Sequence, residues 1–355
     1  MEPIEWLLKP LYEQGWAAVD LFFPLSGFVF YWLYARAIQE RTTGAETFAL
    51  LRFSRLWPLH TLMLVVAAGL QLTFRARTGH WFIYSANDWQ HFVSSFVMAQ
   101  QWLPPTLAQS FDGPSWSVSI EVLLYVIFFV LARAGFAGWR AALVLAAASI
   151  SLIFWNEFIA RGLMGFFMGG VVWHASERIK TLSFARTVAQ VLGLTAMGMW
   201  FLIFWEVYAA PIHALVAILA GSDAHDWRFD MWVGWSFRLL FAFIAAPLTI
   251  LALALDEQLL GGRYKALSPL GDISYSTYLL QIPLQMVCAL AALSFGLKPH
   301  DFMSIWVLIG FLATLIGLGY LSHRYFELPT QRWLRRLVTT PRSTAKAGHR
   351  ALREE

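Results

Sequence analysis

RFSRLWPLH, residues 52–60, stands where a charged connection (36–51) gives way to an apolar run reaching residue 74. Arg52 and Arg55 lie three residues apart, one helical turn, so both guanidiniums project from one face. Two planar, permanently charged forks at a membrane boundary suit a phosphate-bearing ligand. The competing reading is orientation: loop arginines on the cytoplasmic side anchor a span and need bind nothing. Either way, this stretch marks the chain as one built around lipid.

Working outward, composition agrees. The 355 residues are 58% hydrophobic and only 14% charged, with mean hydropathy +0.56, whereas soluble domains carry about 25% charge. Eighteen tryptophans and eleven tyrosines suit many water–lipid boundaries, where an amphipathic ring is well solvated at both ends. The net charge of +4 reflects clusters in loops and tail, so it does not indicate nucleic-acid binding. The single cysteine, Cys288, excludes an intrachain disulfide and reads as a small buried hydrophobe. The acidic start MEPIEWLLKPLYEQ lacks the basic flank of a cleavable signal.

Runs of membrane-crossing length occur at 17–35, 56–74, 116–133, 140–156, 159–174, 188–206, 235–255, 273–295 and 303–322. The expected fold class is therefore all-α, a polytopic transmembrane bundle of about nine spans. Residues 92–103 and 207–221 are shorter or interrupted and read as interfacial or re-entrant. The expected division is an outer-side leader over 1–16, a membrane domain over 17–322 and a basic cytoplasmic tail over 323–355. With that tail inside, the connections on its side hold most of the 26 Lys and Arg, as the positive-inside rule requires. The same count places Met1 outside, the pattern an even-numbered bundle shows after losing its first helix. Residues 104–115, PPTLAQSFDGPS, are turn-rich and read as a rigid outer loop.

Ionisable residues inside such spans are costly, and each is a candidate site. Glu121, within GPSWSVSIEVLLY, shares a helical face with Trp116 and Ser117, offering a carboxylate, a ring and a hydroxyl to one cavity. The alternative is a structural carboxylate paired to a neighbouring helix. Asp20 opens DLFFPLSGF and is either a cap or a site group; Ser26 and Gly27 permit close helix packing or a close ligand. His60 follows the arginines by one and a half turns and is either hydrogen-bonded structure or a base. In RGLMGFFMGG the glycines suggest a close helix contact, with Arg161 snorkelling outward. In this topology Asp20 and Glu121 lie toward the outer leaflet and Arg52 and Arg55 toward the inner one. The other histidines show no metal-ligand spacing.

GWAAVDLFFPLSGF, LLRFSRLWPLH, GPSWSVSIEVLLY, RGLMGFFMGG, LSPLGDISYSTYLLQIPL and LSHRYFELPTQRWLRR occur in this order from residue 15 to 336. Together they resemble acyltransferase family 3, the integral membrane O-acyltransferases and O-acetylases. The resemblance implies about ten helices, an acyl-CoA co-substrate (commonly acetyl-CoA) with no bound cofactor or metal, and a glycan or lipid-linked hydroxyl acceptor at the cell envelope. It also implies a bacterial inner-membrane location with no nucleic-acid partner. Arg52 and Arg55 match the family's R-x-x-R pair, Trp116, Ser117 and Glu121 its W-S-x-x-x-E block, Ser274 and Tyr275 its I-S-Y block, and Glu327 and Pro329 its closing E-x-P. On this reading Glu121 and His60 are the catalytic candidates, and Arg52, Arg55, Trp116, Ser117, Asp20, Ser26 and Tyr275 bind donor or substrate. Two departures accompany it: the family's first helix, with its arginine and histidine, is not in this sequence, and Gln281 stands where a histidine is common. The alternatives are a transporter or flippase of polar or lipid-linked substrates, and an inactive truncated family member.

Overall fold

The computed structural model describes residues 4–103, 108–220, 227–262 and 264–338, and among them there is no strand. In chain order the helices are α1 (Glu5–Glu13), α2 (Trp16–Gln39), α3 (Ala45–Thr78) and α4 (Trp89–Phe96). Next come α5 (Gly113–Arg133), α6 (Trp139–Leu152), α7 (Glu157–Ile179), α8 (Ala185–Ala209) and α9 (Pro211–Ala220). α10 (Met231–Leu260), α11 (Ser274–Phe295) and α12 (Ile305–Arg336) complete the bundle. Eight of these are long and apolar enough to cross a membrane, and the all-helical, multi-pass expectation holds.

One of the nine expected spans, 140–156, is too short to cross. α6 covers Trp139–Leu152, about 20 Å at 1.5 Å per residue against a ~30 Å hydrocarbon core. Asn156 stops it by capping the next helix, its side chain accepting from the Phe158 and Ile159 amides at 3.1 Å. At the other end of the chain, α12 runs past the expected tail boundary to Arg336. Over 207–221 the break falls at Ala210, whose φ of 44° precedes Pro211. The leader contains α1, tied down by Tyr208 Oη donating to the Trp6 carbonyl at 3.0 Å. Of the 104–115 loop, residues 108–112 are non-helical as expected; residues 104–107 and the tail from 339 lie outside the described residues.

The centre of the bundle is the contact of α2 with α7. A Cβ at Gly27 would lie 1.9 Å from the Phe166 carbonyl oxygen, and one at Gly169 would lie 2.1 Å from that of Pro24. Gly165 meets Phe23 and Gly170 the Tyr31 ring. RGLMGFFMGG thus presents a glycine stripe on which the α2 backbone rests, the close approach expected of small-residue interfaces in lipid. Toward the C-terminal part of α2 this contact continues into an aromatic core: Phe30 stacks on Tyr125 at 4.4 Å and meets Phe128 and Phe166 edge-on. Gly162 does for α5 what Gly169 does for α2, leaving room for Ile120.

Gly169→Ala should lower the melting temperature of the detergent-purified protein by several degrees, a cost on the order of 1–3 kcal/mol for forcing a methyl against a backbone. Gly193→Ala, whose Cβ meets nothing, should leave melting unchanged or raise it slightly.

Candidate active site in a cavity within the bundle

A cavity of about 330 Å³ opens among α2, α3, α5 and α11. α3 contributes Arg55 and Leu56, and α5 contributes Ser117, Val118 and Glu121. α11 lines it with Ser274, Tyr275, Tyr278 and Gln281, a single helical face. Val19 and Phe22 of α2 close an apolar side. The cavity is therefore mostly greasy, with a few convergent polar groups, the usual character of a small-molecule site.

Its charged centre is Glu121, 6% exposed. Tyr125 Oη donates to its carboxylate, the Ser26 hydroxyl also bonds it, and both Arg55 and Arg52 act on it electrostatically. Arg52 is enclosed rather than surface-facing. Its Nη2 donates to Tyr34 Oη at 2.6 Å, and its guanidinium lies 4.9 Å from the Tyr34 ring and 5.2 Å from that of Phe30. Arg55 keeps an accessible side chain directed at the cavity, and among the described residues no side chain hydrogen-bonds it. Tyr275 is fixed by donating to the Leu56 carbonyl at 2.7 Å. Ser117 donates to Tyr278 Oη at 2.9 Å, and Tyr278 in turn donates to the Pro114 carbonyl.

Several expectations are corrected by this geometry. The arginines and Glu121 do not straddle the bilayer: Arg55 and Glu121 line one cavity, because α3 carries Arg55 ten residues inward from Ala45. Trp116 does not line it with Ser117. Its ring packs between Phe23 and Phe158, with the Arg161 guanidinium 4.8 Å above it. Arg161 does not snorkel outward. It is 8% exposed and grips Asp20 through Nη2 at 2.7 Å and Nε at 3.0 Å, so Asp20 is a partner to a guanidinium rather than a cavity group. His60 is buried outside the lining, its Nε2 2.7 Å from the Ser95 carbonyl oxygen.

The structure also adds groups that sequence reading passed over. Tyr34 and Tyr125 hold Arg52 and Glu121, and Tyr278 extends the α11 face; Gln281, noted in the sequence only as a departure from the family block, joins it there. Glu327, which the sequence offered only as the closing E-x-P match, is buried, accepts from Ser276 and acts electrostatically on Arg55. The sequence did carry a signal for the α11 set, since Ser274, Tyr275, Tyr278 and Gln281 recur at helical spacing; it carried none for the tyrosines, which look like ordinary core.

A family model described as an acyltransferase domain, that of acyltransferase family 3, matches residues 13–324. The chain belongs to acyltransferase family 3. Among curated relatives of this family member, acyltransferase MdmB of Streptomyces mycarofaciens is 35% identical over 115 residues, 32% of this chain and 27% of the relative. Protein 2 in the picA locus of Rhizobium radiobacter is 44% identical over 55 residues, 16% of this chain and 29% of that protein. The chain thus spans under a third of the length of either relative. No solved structure matches significantly. The family match and the eight apolar helices make this a multi-pass member of a membrane acyltransferase family, with the cavity as its candidate centre.

Removing one member of a buried ion pair strands the other charge, so Asp20→Asn should destabilise the detergent-purified protein by about 3–5 kcal/mol. Asp20→Leu combined with Arg161→Met should recover much of that loss in the same thermal assay.

Asp112, just before α5, is 3% exposed and faces Tyr84 and Tyr278; one carboxyl oxygen has no partner among the described residues. Burial pushes this carboxyl up to about 8, while the unfolded chain releases the proton near ~4. The folded state then binds more protons across that window, so this group's contribution to stability is full below about pH 4 and declines as pH rises to about 8. Melting measured between about pH 5 and pH 9 should show the decline, and Asp112→Asn should flatten it.

Proposed function

We propose that the protein transfers an acyl group, acetyl in the favoured case, from acyl-CoA to a hydroxyl of a glycan or lipid-linked carbohydrate of the cell envelope. The observation that carries this reading is that Arg55 and Glu121 face the same cavity. A hydroxyl is a poor nucleophile near neutrality and needs a positioned base; a thioester carbonyl needs a cation or donor where its oxygen gains charge. Glu121 takes the proton from the acceptor hydroxyl, and the freed oxygen attacks the thioester carbon. Arg55, directed at the cavity and without a competing hydrogen bond among the described residues, stabilises the oxyanion. When the tetrahedral intermediate collapses, the C–S bond breaks, the sulfur leaves as the CoA thiol on gaining a proton, and the new ester remains on the acceptor.

The surrounding residues have supporting parts. Arg52, Tyr125 and Ser26 hold Glu121 in place, while Ser117, Tyr275, Tyr278 and Gln281 offer hydrogen bonds to the acceptor or the thioester arm. The name of the MdmB relative, an acyltransferase, is consistent with this chemistry. The reading includes a bacterial inner-membrane location with the C-terminus cytoplasmic; Arg332, Arg335 and Arg336 near the end of α12 support that orientation by the positive-inside rule.

The test is transfer from radiolabelled acetyl-CoA by membranes containing the protein. Glu121→Gln, nearly isosteric, should cut turnover by about 10²–10⁴-fold while thioester binding persists. Arg55→Lys keeps the charge but loses the fork, and should lower kcat/KM by roughly tenfold or more. Parent-like turnover in Glu121→Gln would contradict the mechanism.

A further inference from the structure

The cavity that holds Arg55 and Glu121 measures about 330 Å³, the lower end for a small-molecule site. That volume takes an acyl-thioester end and part of its arm; it does not also take a nucleotide with three phosphates. Arg52, moreover, is already hydrogen-bonded to Tyr34 and walled by aromatic rings. A phosphate-bearing donor therefore needs cations outside the cavity, next to α3.

The end of α12 supplies them. Its helix turns wide over His323–Glu327, where Glu327 approaches Arg55, and continues toward its basic end as Leu328–Val338. Two turns beyond Glu327, Arg335 Nε lies 3.4 Å from Oγ of Ser54, the residue just before Arg55 on α3. Helical side chains lean toward the N-terminus of their own helix, so Arg335 points back along α12 toward the level of the cavity. Arg332 and Arg336, four residues apart, share one exposed helical face, and Arg335, one turn after Arg332, lies at its edge, so the three guanidiniums span an arc of about 100°. No acidic residue occurs in the sequence between Glu327 and Arg336.

We propose that Arg332, Arg335 and Arg336 hold the phosphates of the donor's nucleotide at the mouth of the bundle, leaving Arg55 to the thioester. This inference rests on the acyl-CoA reading above. It divides the donor between two groups of guanidiniums: one on α3 that touches the reacting carbonyl, and one on α12 that reads the nucleotide and confers affinity.

The experiment compares acetyl-CoA with acetyl-pantetheine, which has the thioester but no nucleotide phosphates, using the purified full-length protein. The parent should prefer acetyl-CoA in kcat/KM. Arg332→Gln with Arg336→Gln should cut that preference by about tenfold or more through the loss of charge-assisted bonds. Arg332→Lys with Arg336→Lys should fall between, which a folding defect would not produce. An unchanged preference in the glutamine variant overturns the proposal. So does a defect that appears only in phosphatidylglycerol nanodiscs and vanishes in phosphatidylcholine, since the arginines would then be headgroup anchors. If the parent transfers from neither thioester, the acyl-CoA reading itself fails, and the inference with it.

Discussion

The glycine-mediated contact between α2 and α7 is the constraint on which the rest depends. In lipid there is no hydrophobic drive to bring helices together, so close backbone approach and the van der Waals contact it permits must hold them. Gly27 against Phe166 and Gly169 against Pro24 fix both the depth and the rotation of α2. That one setting aims Asp20 at Arg161 on one side and Ser26 at Glu121 on another. Because α5 nests beside α7 through Ile120 and Gly162, Glu121 inherits its position from the same glycines. A shift of one residue in this register would rotate Asp20 and Ser26 by about 100° and disengage both.

Two polar assemblies result, back to back across α2 and α5. Asp20, Arg161 and Trp116 form a closed unit: a bidentate ion pair capped by a ring, with the charges spent on each other. Arg52, Arg55 and Glu121 form an open one. Two guanidiniums serve one carboxylate there, and Arg55 still faces empty space. Intramembrane charge of the first kind organises a bundle; charge of the second kind is left available to a ligand. The difference between neighbours only a helix apart is what distinguishes architecture from candidate chemistry here.

Much of this was legible from residues alone. Long apolar runs gave the bundle, RGLMGFFMGG the close contact, and the ionisable residues Arg55 and Glu121 two of the groups that line the candidate cavity, since each is a local property of composition or spacing. What was not legible is relative depth and rotation. Arg161 meets Asp20 across 141 positions, and nothing local distinguishes that from snorkelling. Trp116 and Ser117 are adjacent, yet only Ser117 reaches the cavity, because adjacent helical residues point about 100° apart. The widened turns at Tyr31–Ala35 and His323–Glu327 insert a residue into the helical count, so Tyr34 and Glu327 fall on faces that a 3.6 period misassigns. His60 was drawn away by the Ser95 carbonyl of α4, a helix too short to register as a span.

The central claim is that one cavity brings Arg55, Glu121 and an acyl thioester together. Photocrosslinking with a CoA thioester whose acyl chain carries a diazirine, followed by peptide mapping, tests it most directly. The account predicts labels on the cavity walls, at Val19 or Phe22 of α2, Val118 of α5 and Tyr278 of α11, competed away by unlabelled acetyl-CoA. Competable labelling confined to the lipid-facing sides of α8 or α12, with none on those walls, would contradict it.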